Sequence, residues 1–215
     1  MAPRFRSVIL DVDSTLCALE GIDWLAHARG AGVAAKVAEV TERAMNGEIP
    51  LEAVYGARLA TVEPDVELLR RLGEEYLRRL VPGAAEAVKA LQGAGVEIAV
   101  VSGGIRQAIL PLVERLGVPA ARLVAVDVYL DEDGAYSAYD MTSPLTTDTG
   151  KATVARTLSL PQPVLMMGDG NTDLASREAV DAFAAFTGVV RRESVAAAAD
   201  HVIETFDQLI SLVLP

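Results

Sequence analysis

The stretch Val8-Ile9-Leu10-Asp11-Val12-Asp13-Ser14-Thr15 is a short, β-rich apolar run that ends on a carboxylate. Two runs of the same kind follow. Ile98-Ala99-Val100-Val101 ends at Ser102, and Val164-Leu165-Met166-Met167 ends at Gly168-Asp169. Weaker candidates lie at Ala182–Phe186 and His201–Ile203. Strands that are apolar without alternation are buried on both faces, as in a parallel sheet covered by helices. Helical spacing at residues 84–92, 171–179, 193–199 and 205–214 supplies that cover. The pattern predicts an α/β fold, a doubly wound parallel-sheet (Rossmann-like) core.

Residues 18–79 break the alternation, because they contain no convincing strand. Helices are expected at 22–28, 33–45, 51–61 and 65–80, punctuated by Gly or Pro. Sixty residues of helix exceed a simple crossover, so a helical cap is expected at 18–79, inserted into a core of 1–17 and 80–215. The stretch 123–139 alternates around Asp133-Gly134, a turn signal, and is expected to form a small β-hairpin flap.

The chain has 215 residues, enough for one core domain and a small accessory unit. Apolar residues make up 51% and charged residues 23%, a globular composition. No apolar run approaches the roughly 20 residues of a membrane helix. The apolar stretch ending at Asp11 is too short for a signal-peptide core. Cys17 is the one cysteine, which rules out an intrachain disulfide framework and favours a reducing, cytoplasmic setting. Thirty acids against 19 bases give a net charge of −11, a poor footprint for nucleic acid or anionic membrane. An anion site in such a chain must bring its own positive charge. Only three of those bases are lysines: Lys36, Lys89 and Lys151.

Ligands of open α/β sheets bind beyond the carboxyl ends of the strands, where strand order reverses. Asp11, Ser102 and Asp169 occupy three such ends and would converge if their strands are neighbours. Asp11 and Asp13 lie two residues apart and would repel each other without a cation or a proton between them. Gly168-Asp169-Gly170-Asn171-Thr172-Asp173 repeats the pairing, with glycines that permit close backbone approach. Four carboxylates from two strand ends argue for a divalent metal, with Mg²⁺ the hard cation that suits oxygen donors. Ser102-Gly103-Gly104 is expected to open a helix near Ile105 and present backbone N–H groups to an anion. Lys151 begins a helix, the wrong end for a cation, and is expected to face phosphate. Ser14 has no histidine in support, since the only two, His27 and His201, lie in the cap and at a late strand. A serine–histidine hydrolase is therefore disfavoured.

In this order the motifs resemble the haloacid dehalogenase-like phosphatase superfamily, and within it the phosphoserine phosphatase family. Its pattern, DxDxT, a strand-end Ser, a Lys and GDGxxD, is matched by Asp11 to Thr15, Ser102, Lys151 and Gly168 to Asp173. The likeness continues through Glu20-Gly21-Ile22-Asp23, Arg43-Ala44-Met45, Arg58-Leu59 and Asp181-Ala182-Phe183. It implies that Asp11 is the nucleophile and Asp13 the general acid and base. It implies Mg²⁺ on Asp11, the Asp13 carbonyl and Asp169, with Thr15 and Asp173 behind them. Ser102, Gly103 and Lys151 would hold the phosphoryl group. Glu20, Met45, Arg58 and Thr172 would hold a small substrate, Glu20 facing its amino group and Arg58 its carboxylate. Arg192 is a further candidate to reach it. Asn171, Thr172, Thr149-Gly150 and Leu51 depart from the closest pattern without removing a charged group.

The expected activity is hydrolysis of L-phosphoserine, a small phosphate ester. The alternatives are another ester or phosphoryl transfer to an acceptor such as homoserine. A phospho-accepting receiver is disfavoured by the 60-residue cap and by Asp13.

Overall fold

The computed structural model describes residues 2–45, 48 and 51–214. Among these, the strands are β1 (Ser7–Leu10), β2 (Glu97–Ile105), β3 (Leu123–Val126), β4 (Val128–Leu130), β5 (Tyr136–Tyr139), β6 (Val164–Gly168), β7 (Ala182–Phe186) and β8 (His201–Ile203). Six of them form one parallel sheet in the order β3-β2-β1-β6-β7-β8, while β4 and β5 pair antiparallel in a separate hairpin. From β1 the chain winds outward through β2 and β3, then crosses back and winds the other way through β6, β7 and β8. The reversal falls between β1 and β6, the two central strands, which is where such sheets bind ligands.

Alternate residues of the strands enter different cores. Val8, Leu10, Ile98, Val100, Leu165 and Met167 belong to one buried cluster, and Ile9, Ala99, Val101, Val164 and Met166 to the other. Both faces are therefore dry, as the unalternating runs require. On the first face lie α5 (Ala84–Gly93), α6 (Arg106–Arg115) and α10 (Phe206–Val213); on the second lie α7 (Gly150–Thr157) and α9 (Glu193–Ala198).

Between β1 and α5 run α1 (Gly21–Arg29), α2 (Ala31–Met45), α3 (Leu51–Val62) and α4 (Val66–Arg78). Asp65 caps α4, its carboxylate accepting the Leu68 N–H at 2.8 Å. Gly73 lets α4 lie close on α6, where a Cβ would stand 3.2 Å from the Ala108 carbonyl. Buried residues of these helices, among them Leu25, Leu59 and Leu72, join the first cluster. The two passages into and out of this segment run side by side: Ala18 N–H donates to Arg79 O and Val81 N–H to Leu16 O, each at 2.9 Å.

Three local expectations change. Residues 123–126 are not part of the hairpin but the edge strand of the main sheet, pairing with β2. The second strand does not end at Ser102. It shifts register between Val101 and Ile105 and continues to Ile105, so Ser102-Gly103-Gly104 is a bulged strand end and α6 starts only at Arg106. The helix expected at 171–179 is one α turn, α8 (Asn171–Leu174), followed by a 3₁₀ turn. No described helix is long and apolar enough to cross a membrane.

Phe186 on β7 and Phe206 on α10 tilt against each other with ring centroids 5.3 Å apart, both fully buried. Phe206→Ala removes that packing and is expected to cost about 3–5 kcal/mol. The check is a lowered denaturant midpoint with an unchanged slope.

Candidate active site

The register of the two central strands builds the site. Leu10 pairs with Met167, so Asp11 and Asp169 leave adjacent strands at nearly the same level. The Asp11 N–H donates to Met167 O at 3.0 Å, which fixes the start of the turn that follows β1. Ser14 in that turn adopts left-handed backbone, φ +54°, unusual for a residue with a side chain. Its N–H donates to Leu19 O at 3.1 Å and its hydroxyl to Glu20 Oε1 at 2.7 Å, which hold the conformation. The tight turn brings Asp13 and Glu20 to the mouth of a cleft of about 300 Å³.

At the floor of the cleft, Asp11, Asp169 and Asp173 are all buried, and each offers a carboxylate oxygen within 4.8 Å of the others. Lys151 reaches in from the first turn of α7, its Nζ 2.5 Å from both Asp11 Oδ1 and Asp173 Oδ1. Its place at the wrong end of the helix dipole is thus explained by two acids. Gly150 permits the approach: a Cβ there would stand 1.9 Å from the Pro144 carbonyl. Arg192 Nε donates to Asp169 Oδ2 at 2.9 Å, and Thr15 Oγ1 to Asp169 Oδ1 at 3.4 Å. Asp173 also accepts the Gly170 N–H at 3.0 Å, which closes the first turn of α8.

Burial and crowding by like charge set the ionisation. Burial, then the charge of Asp173, pushes Asp11 well above the usual carboxylate range against the pull of Lys151. Asp169 is raised by burial and Asp173 and partly relieved by Arg192. Burial alone would lower the Lys151 ammonium, yet the two carboxylates outweigh it and hold it above its ordinary value. Asp13 stands apart from the cluster. Its carboxylate accepts from Tyr76 Oη at 2.7 Å and from the Gly21 N–H at 3.1 Å. Burial, then the Glu20 charge, pushes it up to about 7.

The structure brings most of the expected residues together. Asp11, Asp13, Glu20, Arg58, Ser102, Gly103, Lys151, Asp169, Thr172, Asp173 and Arg192 all line the cleft, and Thr15 sits behind Asp169. The Met45 side chain lies outside the described residues. Ser102 contributes from the bulged strand rather than from a helix start, its Oγ accepting the Gly104 N–H at 3.0 Å. Two tyrosines escaped the sequence reading: Tyr55, which lines the cleft, and Tyr76, which binds Asp13. Both sit at core-facing positions of helices, where an aromatic reads as packing. The buried side-chain atoms without a hydrogen-bond partner among the described residues are Tyr55 Oη, Arg58 Nε and Ser176 Oγ. The first two are donors one helical turn apart on α3, at the cleft wall. Arg58 additionally pairs with Asp23 through Nη2.

Three clustered carboxylates are a donor set that suits a hard divalent cation, and the oxygens are near enough to share one. Lys151→Met leaves Asp11 and Asp173 buried and facing each other. We expect a lowered melting temperature, from a penalty of about 3–5 kcal/mol, partly restored by Mg²⁺ in a thermal melt.

Comparison with known proteins agrees with this geometry. Residues 5–181 match the haloacid dehalogenase-like hydrolase family. The chain is 38% identical over 211 residues to the chloroplastic phosphoserine phosphatase of Arabidopsis thaliana, covering 96% of this chain and 71% of that one. It is 36% identical over 207 residues to the phosphoserine phosphatase of Homo sapiens, covering 95% and 91%. A solved phospho-aspartyl intermediate analogue of phosphoserine phosphatase superposes with a TM-score of 0.76 at 25% identity, covering 97% of this chain and 98% of that one. The chain belongs to the haloacid dehalogenase-like hydrolases, as a phosphoric monoester hydrolase.

Proposed function

We propose that this chain hydrolyses L-phosphoserine to serine and phosphate, with Mg²⁺, through an aspartyl-phosphate on Asp11. The observation that carries the substrate reading is the pairing of two sites across one cleft. The carboxylate–lysine floor suits a phosphoryl group, while Tyr55 Oη and Arg58 Nε at the wall are buried donors without an acceptor among the described residues. Leaving such donors unmade is costly, so the site calls for a ligand that carries an acceptor beyond its phosphate. A carboxylate fits, because a guanidinium fork binds one with charge assistance. Glu20, 45% exposed at the mouth, can then face the amino group. The names of the Arabidopsis and human relatives support the same substrate.

The chemistry follows from the chain's own groups. An Asp11 oxygen attacks phosphorus and the ester oxygen leaves, taking a proton from Asp13. A water oxygen then attacks the phosphorus while Asp13 accepts the water's proton, and the Asp11–phosphorus bond breaks. Lys151, Ser102 and the Gly103 N–H hold the phosphoryl oxygens, supplying locally the positive charge that the chain lacks overall. Mg²⁺, held by Asp11, Asp169 and the Asp13 carbonyl with Thr15 and Asp173 in support, would neutralise charge on the transferring group. Residues 18–79 act as a cap on the core of 1–17 and 80–215. It hinges at the paired passages through Cys17 and Leu80, and its closure excludes water during the first step. A cytoplasmic setting suits the buried, free Cys17.

The test is phosphate release from a panel of small esters, with and without Mg²⁺. Phosphoserine should be the best substrate and chelation should abolish turnover; equal rates on all esters would refute the substrate assignment and leave the phosphatase. Adding homoserine should yield no phosphorylated homoserine, whereas its appearance would make the enzyme a phosphotransferase. Arg58→Ala should lower kcat/KM for phosphoserine roughly 10- to 100-fold, and Tyr55→Phe roughly tenfold. Neither should change kcat/KM for p-nitrophenyl phosphate, which has no carboxylate, by more than about twofold.

A further inference from the structure

Asp13 is held from outside the sheet at both of its oxygens. Tyr76, in the last turns of α4, donates its hydroxyl to Oδ1, and Gly21, the first residue of α1, donates its N–H to Oδ2. The two donors lie at opposite ends of the segment 18–79. The Tyr76 side chain is fully buried, following Leu69 and Leu72 along the core-facing stripe of α4. Packing at that position needs no hydroxyl, and a buried hydroxyl needs a partner. Two missing side chains make room for it. A Cβ on Gly21 would lie 2.3 Å from the Tyr76 oxygen, and one on Gly104 would lie 3.3 Å from it.

We infer that Tyr76 is a positioning residue that aims the Asp13 carboxyl group at the leaving oxygen of the substrate. The inference rests on Asp13 being the proton donor, as proposed above. Each carboxylate oxygen has two lone-pair sites. With one on each oxygen engaged by a donor, the group is held against rotation about its Cβ–Cγ bond, and the two remaining sites, one of which carries the proton, keep their directions. When the ester oxygen leaves phosphorus with its electron pair, Asp13 transfers its proton to that oxygen and is left as a carboxylate, still bound by Tyr76 and Gly21. Tyr76 keeps its own proton throughout. A proton donor that wanders from its acceptor loses much of its advantage, so alignment is itself catalytic.

A serine alkoxide needs that proton to depart, whereas a nitrophenolate departs without it. The experiment compares kcat/KM for phosphoserine and p-nitrophenyl phosphate in Tyr76→Phe at saturating Mg²⁺. This parameter covers the steps through the first irreversible one, loss of the leaving group. We expect phosphoserine to fall roughly tenfold or more while p-nitrophenyl phosphate stays within about twofold. Equal losses on both esters, the mark of a merely structural tyrosine, would overturn the inference, and so would no loss on either. Asp13→Asn measured alongside should show the same selectivity, larger in size. If Asp13→Asn lowers both esters alike, the acid assignment fails and the inference with it. If Asp13→Asn is selective and Tyr76→Phe is not, only the inference fails. Gly21→Ala keeps the phenol and the N–H but pushes the hydroxyl aside. It should reproduce the selective loss, and unchanged turnover of phosphoserine would count against the account.

Discussion

Like charge held together in a dry corner is the constraint around which this molecule is built. Asp11, Asp169 and Asp173 approach one another at the floor of the cleft, and each is at most 5% exposed. Water screens buried carboxylates poorly, and the fold supplies cations at close range. Lys151 bridges two of the three and Arg192 takes the other. The backbone serves the same end. A bare Gly150 lets the lysine through, and Gly168 leaves the space that the Asp173 carboxylate fills, since a Cβ there would lie 2.1 Å from its Cγ. The same unfavourable cluster is a donor set that suits a divalent cation.

The helices between β1 and α5 complete the chemistry from above. Their buried residues are continuous with one face of the sheet, so the segment is anchored, yet it enters and leaves through a pair of adjacent backbone passages. It contributes Glu20, Tyr55 and Arg58 to the cleft and two donors to Asp13. In the function proposed above, the sheet provides charge for a phosphoryl group, and the helices provide the groups that distinguish what is attached to it. Fold alone does not assign that second part, because one scaffold serves many substrates.

Much of this was legible in the sequence. Dry parallel strands reveal themselves by unbroken apolar runs, and Asp11 and Asp169 end two of them, so their convergence needed only that β1 and β6 be neighbours. Lys151 announced itself by having the wrong sign for a helix start. Other features depend on partners distant in the chain. Residues 123–126 look like half of a hairpin until β2 is there to pair with them. Gly103 and Gly104 read as a helix entrance, yet the strand bulges and continues through them. Tyr55 and Tyr76 are indistinguishable in sequence from helix packing residues, because only the folded chain shows what their hydroxyls meet. Arg192, named in sequence only as a further candidate to reach the substrate, pairs with Asp169 in the folded chain.

The central claim is that Asp11 carries the phosphoryl group between the two half-reactions. It is tested most directly by mixing the enzyme with phosphoserine and Mg²⁺, quenching in acid within a turnover, and mapping the peptides by mass spectrometry. The account predicts one added phosphoryl group on the peptide that contains Asp11, lost on treatment with hydroxylamine and absent from Asp11→Asn. A phosphoryl group on any other residue, or rapid turnover with no labelled peptide at any quench time, would contradict it.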